Sequence, residues 1–524
     1  MKTIYKNLII LSTVLIATSI TSCKKLLTEE PKNSTYQEVF WQNARDAKSA
    51  IAGNYALLRD AVTDKENRYY MYGDAIAKSY FTIQYNGDGL EGIQNGDFTF
   101  QYNVESLANW TKYYKTIAMS NIVLANISKM TDTQLKDEEN PTEFRNSLMG
   151  QALFIRALSY FMMVRVWGDV PLVTEAYEDP ISAPQLGRSP RAVVMKQIED
   201  DCHKAASLLS WTYENTGDAK VTANKGSVYA LLAHLYLWRA TMTDVSSNNP
   251  IMADVNSADT TINAIISRGG YSQTDTSKYY NTFIGRSSEG IFEINMSDNT
   301  LEGSNSSIGT RFLNGSYVNG YGNNPRNFVL KSYLDNHFGL GGQWVWDGTQ
   351  WNWVAPLDKG DVRFKKNFDL VETDKPMLIK YSNVIYRNPG QRLDAVLSNN
   401  MIIFRLSDMM LLKAEIALYK NDPVTATNII NAFRKRNGAS PQAQIPAGWS
   451  KDDVMYEYIL ERGKEMFLEG HLFYDLLRTR TYEYFIDWMS EDRFKRQGFY
   501  WPVDPALFRE NPNLKQTSYW LGKV

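Results

Sequence analysis

The chain has 524 residues, enough for a large core or several packed units, so its folding is not marginal. Its 56 basic and 58 acidic residues leave a formal charge of -2, without the net field that draws proteins to nucleic acid or an anionic bilayer. Two cysteines, Cys23 and Cys202, provide no disulfide framework, whereas 32 Tyr and 13 Trp supply rigid amphipathic faces suited to sugar or peptide recognition or to helix packing.

Lys2 and Lys6 precede an apolar run from Leu8 to Ile20, too short to span about 30 Å of hydrocarbon, which needs about 20 residues. Residues 1–22 therefore read as a secretory signal peptide. The order Ile20-Thr21-Ser22-Cys23 resembles a bacterial lipobox, making Cys23 the lipidation site and 23–35 a polar tether. Two or more acyl chains hold a protein to a membrane without a basic patch.

Residues 36–270 form an N-terminal helical part. Leu148, Ala152, Ile155, Ser159, Met162 and Val166 trace one helical face, while Leu158, Phe161 and Met163 occupy the other, which predicts a helix buried on all sides. Arg191 to Leu209 is amphipathic and places Cys202 in the core, and Val228 to Trp238 forms another buried helix. Successive helices of about 15 to 20 residues with short turns resemble tetratricopeptide units, which stack because one pair cannot bury its own apolar face.

Residues 271–400 turn to Gly, Asn, Ser and Trp with little helical period. Ile291 to Ile294 suggests a strand. In GGQWVWDGTQWNWVAP, Trp344, Trp346, Trp351 and Trp353 alternate about an Asp347-Gly348 turn, which predicts a β-hairpin with alternate indoles on one side. A flat indole suits the C–H face of a sugar, so these four are candidate ligand-binding residues; packing of one face on the helical body or on a partner is the alternative.

Residues 401–524 return to helices: one through Leu418, one opened by Pro423, and one capped by Ser450 and running to Leu468. Glu461, Glu465 and Glu469 recur every four residues beside Arg462 and Lys464, and Asp408 and Glu415 lie two turns apart, patterns that suit ion-pair networks better than acid/base catalysis. His203, His234, His337 and His471 have no ligand spacing, and neither GxSxG nor GxxxxGK[ST] occurs. No catalytic residue, metal site or cofactor is assigned. The fold class is mainly α: tetratricopeptide-like helical pairs with a loop-rich, partly β insertion, the two helical parts packing as one domain.

The stretches QALFIRALSYFMMVRVWGDVPL, RLSDMMLLKAEIAL, IINAFRKR, ERGKEMFLEGHLFYDLLR and FYWPVDPALFRENPNLKQTSYW resemble, in order and spacing, the SusD/RagB family, with Trp41, Asp46, Gly53 and Tyr55 matching near the start and Tyr519 at the end. The resemblance covers nearly all of the chain after Cys23. It implies a non-enzymatic outer-membrane lipoprotein, facing outside, that binds an oligosaccharide or in some cases a peptide. Such proteins lid a SusC-like TonB-dependent transporter. It also selects the early loop GDAIAKSYFTIQYNGDGLEG, with Asp74, Tyr80, Tyr85, Asn86 and Asp88 as ligand-binding candidates. The chain departs from the family pattern at Leu472, at Gln516 to Tyr519, and at Lys24 and Lys25, where export signals are usually acidic. A surface glycoside hydrolase and a helical scaffold for a protein partner are the competing functions.

Overall fold

The structure, a computed structural model, describes residues 40–84, 89–99, 104–177, 183–213, 215–302, 307–341 and 343–524. Cys23, the tether, Tyr85, Asn86 and Asp88 lie outside these residues. Helix α1 (Ala44–Gly73) begins at a reciprocal cap: Asn43 Oδ1 accepts from the Asp46 amide and the Asp46 carboxylate accepts from the Asn43 amide, each at 3.2 Å. Two N–H groups with no partner inside the helix are thereby satisfied. After β1 (Phe81–Ile83), α2 (Thr111–Ile127) packs back along α1.

Helix α3 (Pro141–Trp167) opens on an Asn140 cap with proline in the first turn and stops at Gly168, whose φ of 73° suits glycine. It is long and apolar enough to cross a membrane, but 83% of its most apolar window is buried in protein, so it is the central core helix expected from its all-round apolar sequence. Helix α4 (Arg191–Leu208) packs on α3 and carries Cys202 fully into the core. Helices α5 (Lys225–Met242) and α6 (Met252–Arg268) form a third pair. Since α1 also touches α3, and α3 touches α5, the pairs stack in the tetratricopeptide manner.

The middle of the chain is loop-rich with short strands, as its composition indicates. In order come β2 (Gly290–Ile294), β3 (Asn327–Val329), α7 (Lys331–Phe338), β4 (Gln343–Trp346), β5 (Trp351–Val354) and β6 (Met401–Arg405). The pairs β1–β3, β2–β6 and β4–β5 are antiparallel two-stranded ribbons. Wholly buried β2 sets Phe292 edge-on to Phe154 of α3 at 4.8 Å, fastening the insertion to the helices.

Helices α8 (Leu406–Tyr419) and α9 (Pro423–Arg436) make the fourth pair, with α8 against α6. Asp422 caps α9 and Pro423 occupies its first turn, as expected. Helix α10 (Lys451–Glu465) has the Ser450 cap but stops three residues before the expected Leu468. Leu468 and Gly470 take left-handed φ values of 56° and 79°, turning the chain into α11 (Leu472–Thr479). Glu469 is therefore not on the α10 face with Glu461 and Glu465. The turn crosses the end of α1 so closely that a Cβ on Gly73 would lie 2.2 Å from the Gly470 carbonyl oxygen. Buried apolar residues from Trp41 to Trp520 form one continuous core.

The glutamates singled out by spacing fasten the insertion to this core. Glu461 accepts from Arg363 at 2.5 Å and Arg434 at 3.0 Å and pairs with Lys464 at 2.9 Å. Glu465 accepts from Arg363 at 3.0 Å and Arg405 at 2.9 Å. Glu469 accepts from Arg405 and from Lys380. Burial alone would raise the Glu461 carboxyl; Arg363, Lys464 and Arg434 reverse that and hold it well below the usual carboxylate range. Asp408 and Glu415 belong to a neighbouring network through Arg462 at 2.6 Å and Arg478 at 2.5 Å.

Candidate functional site

The β4–β5 hairpin is built as its alternation requires. Trp344 stands opposite Trp353 and Trp346 opposite Trp351, so the four positions share one face of the ribbon. The side chain of Trp353 is not among those described. Trp344, Trp346 and Trp351 are 62%, 51% and 62% exposed, and the Trp346 and Trp351 rings meet at 5.7 Å. Every residue from Trp344 to Trp351 is exposed, so neither face of this segment packs on the helical body.

Asp347 fixes the turn. Its carboxylate accepts from the Thr349 hydroxyl at 2.7 Å, the Thr349 and Gln350 amides at 2.8 and 2.9 Å, and Asn352 Nδ2 at 2.7 Å. These donors, the Thr349 hydroxyl foremost, hold its pKa far below the usual range. The base is equally fixed: the Leu340 amide donates to the Pro356 carbonyl at 2.9 Å, and Asp358 accepts from the Ser440 amide and hydroxyl at 2.8 and 2.7 Å. Strand pairing and the Asp347 turn bonds hold the three described indoles on one exposed face.

Two early-loop candidates are corrected. Asp74 is buried and accepts from the Gly470 amide at 2.6 Å, closing the α1–α11 crossing. Burial pushes its carboxyl well up. Tyr80 is fully buried, its ring 4.9 Å from Tyr333 and its hydroxyl 3.2 Å from His337 Nε2. Asp74 belongs to the Gly-Asp pair and Tyr80 follows it, but the chain enters the core there.

Gln84, which follows β1, bonds the carbonyls of Pro325 and Arg326 and ties β1 to the 314–327 segment. Tyr317, Tyr321 and Tyr386 stand half-buried in that part of the fold, the Asn319 amide donating to the Tyr386 hydroxyl at 2.9 Å. Sequence reading missed these tyrosines, although the run Ser316 to Asn324, alternating Tyr with Gly and Asn, carried a signal.

Glu461, Glu465 and Glu469 are sealed behind cations and do not form an accessible acid/base pair. Among the described residues His234, Asp408 and His471 bring ligand atoms within 4.8 Å of one another, a cluster invisible in their spacing. Arg462 already holds Asp408 at 2.6 Å and would repel a cation, so no metal is assigned.

Residues 25–237 match the profile of a SusD-like family described as starch-binding and associating with the outer membrane, and residues 371–520 match that of the SusD family. A SusD-like protein of Formosa agariphila is 25% identical over 98% of this chain and 99% of its own length. A SusD homolog from Bacteroides thetaiotaomicron superposes with a TM-score of 0.74 at 23% identity, covering 92% of this chain and 99% of its own. NanU of Bacteroides fragilis superposes at 0.69 and 21% identity, covering 93% and 99%.

Proposed function

The chain belongs to the SusD/RagB family of carbohydrate-binding, outer-membrane-associated proteins, and from that premise we propose that it captures a neutral oligosaccharide and passes it uncleaved to a SusC-like TonB-dependent transporter. In this reading Cys23 carries the lipid anchor that holds the chain at the outer membrane, facing outside. Trp344, Trp346, Trp351 and Trp353 form the main platform, and Tyr85, Asn86 and Asp88 contribute a second contact.

The observation that carries the proposal is the exposed three-indole face on the paired hairpin. Apolar faces in water favour a ligand with an apolar face of its own, and sugar rings expose C–H surfaces between their hydroxyls. Asp347, the acid in the turn, has its oxygens engaged by donors within the turn, which leaves the indoles as the main contact surface.

Soluble chain beginning at Lys24 should bind at least one glycan in a panel of starch, cellulose, xylan and laminarin oligosaccharides and release no new reducing ends. Turnover would transfer the assignment to a hydrolase. Fatty-acid-analogue labelling of the full chain in cells should mark it and fail for Cys23→Ala; an unlabelled full chain rejects the anchor.

A further inference from the structure

A cleft of about 1090 Å³ lies between the first turns of α1 and α3, the 208–224 segment and the far part of the insertion. It shares no lining residue with the tryptophan hairpin, and its size reaches the upper range of ordinary ligand pockets, about 300–1,000 Å³.

Independent contacts hold its walls. The Tyr55 hydroxyl on α1 accepts from the Ala223 amide at 2.8 Å, tying the first helix to the 208–224 segment. Arg59 pairs with Glu302 at 2.9 Å, tying the same helix to the insertion. Between these ties, Ala52 and Ala56, one turn apart on α1, are exposed into the cleft and keep it open.

Its chemistry is specific in what it lacks. Lys48 is matched by Glu138 at 2.6 Å and Arg59 by Glu302, while Arg286 bonds the Gly217 carbonyl and Asn295. The cations are thus committed within the protein. What remains is the Tyr55 and Tyr213 rings beside the amides and hydroxyls of Asn146, Ser147 and Gln151 and the exposed carboxylates of Glu143 and Asp218. Ring faces next to groups that donate and accept, with carboxylates that accept from hydroxyls, are complementary to a chain of hydroxyls on an apolar ring.

We propose that this cleft is a second saccharide site, which grips a neutral oligosaccharide independently of the hairpin through the Tyr55 and Tyr213 rings and the Asn146 and Gln151 amides. Two stations on one rigid frame would engage separate parts of a long glycan and raise its retention through effective concentration.

Calorimetric titrations with maltohexaose, cellohexaose, xylohexaose and laminarihexaose test it. The combined Trp344→Ala, Trp346→Ala, Trp351→Ala variant should still bind at least one of them. Adding Ala56→Trp, which fills the cleft from an exposed helical position, should weaken that binding at least tenfold. Asn146→Ala with Gln151→Ala in the same hairpin-less background removes only polar partners and should weaken it several-fold. Absence of hexasaccharide binding in the hairpin-less chain overturns the proposal, as does residual binding indifferent to both cleft changes. Direct binding of a hexapeptide of alternating Lys and Asp to the hairpin-less chain, with no hexasaccharide bound, would overturn it in favour of a peptide site. Loss of all wild-type binding in the cleft variants, with none in the hairpin variant, would uphold the cleft and remove the hairpin assignment.

Discussion

Replacing Arg405 by Met removes one guanidinium from the interior while keeping most of its apolar length. That guanidinium donates to Glu469 at 2.7 and 2.9 Å, to Glu289 at 2.6 Å and to Glu465 at 2.9 Å, all four side chains being at most 2% exposed. The acids do not lose equally. Glu465 keeps Arg363 and Glu469 keeps Lys380, but the nearest remaining cation to Glu289 is Arg436 at 4.0 Å. Removing one member of a buried ion pair costs about 3–5 kcal/mol, a large part of the 5–15 kcal/mol that typically holds a fold. Urea unfolding of Arg405→Met should therefore show a loss of about 3 kcal/mol or more with an unchanged m-value. Adding Glu289→Gln should recover part of it, because the most exposed consequence is an uncompensated carboxylate. A loss below about 1 kcal/mol, or no recovery, would refute the view that this network fastens the insertion to the helices.

Asp74→Asn should gain stability relative to wild type as pH rises from 4 to 9. Burial raises the folded pKa of Asp74, so its contribution is present at low pH and lost as pH rises through the folded value; an amide escapes that loss while still accepting from Gly470. Absence of that relative gain in Asp74→Asn would contradict a protonated Asp74. His471, packed among Asp408, His234, Arg462 and Asp475, has its pKa lowered to about 4, by burial first. A histidine depressed in this way takes up its proton on unfolding, so its stabilisation is full above the unfolded value near 6.5 and declines as pH falls toward 4. Between pH 7 and 5 this amounts to about 2 kcal/mol, and urea unfolding of His471→Gln should show a correspondingly smaller decline over that interval. An identical decline in the two proteins would contradict a neutral buried His471.

The helical frame was legible because its signals are local. The all-round apolar sequence of α3, the Asp422-Pro423 start of α9 and the Ser450 cap each determine their element within a few residues. The hairpin was legible for the same reason: alternation about Asp347-Gly348 fixes which positions share a face. What could not be read depends on distant partners. Asp74 and Tyr80 look like loop residues until Gly470 and His337, nearly 400 and more than 250 positions away, enclose them. Similarly, the early end of α10 follows from the turn by which Glu469 reaches Arg405 and Lys380. The pairing of Tyr386 with the 314–327 segment likewise required the fold.

The central claim is that exposed indoles on a paired hairpin grip a glycan. Each ring that removes about 50 Å² of apolar surface from water contributes about 1 kcal/mol, so three contribute about 3–4 kcal/mol, a hundredfold or more in affinity. Calorimetry of the glycan selected by the panel, on wild type and on the chain carrying Trp344→Ala, Trp346→Ala and Trp351→Ala, measures this directly. Affinity at the hairpin site should fall about a hundredfold with the melting temperature shifted by no more than about 2 °C, because the rings are already in solvent. Unchanged affinity at every site, with the same melting temperature, would contradict it.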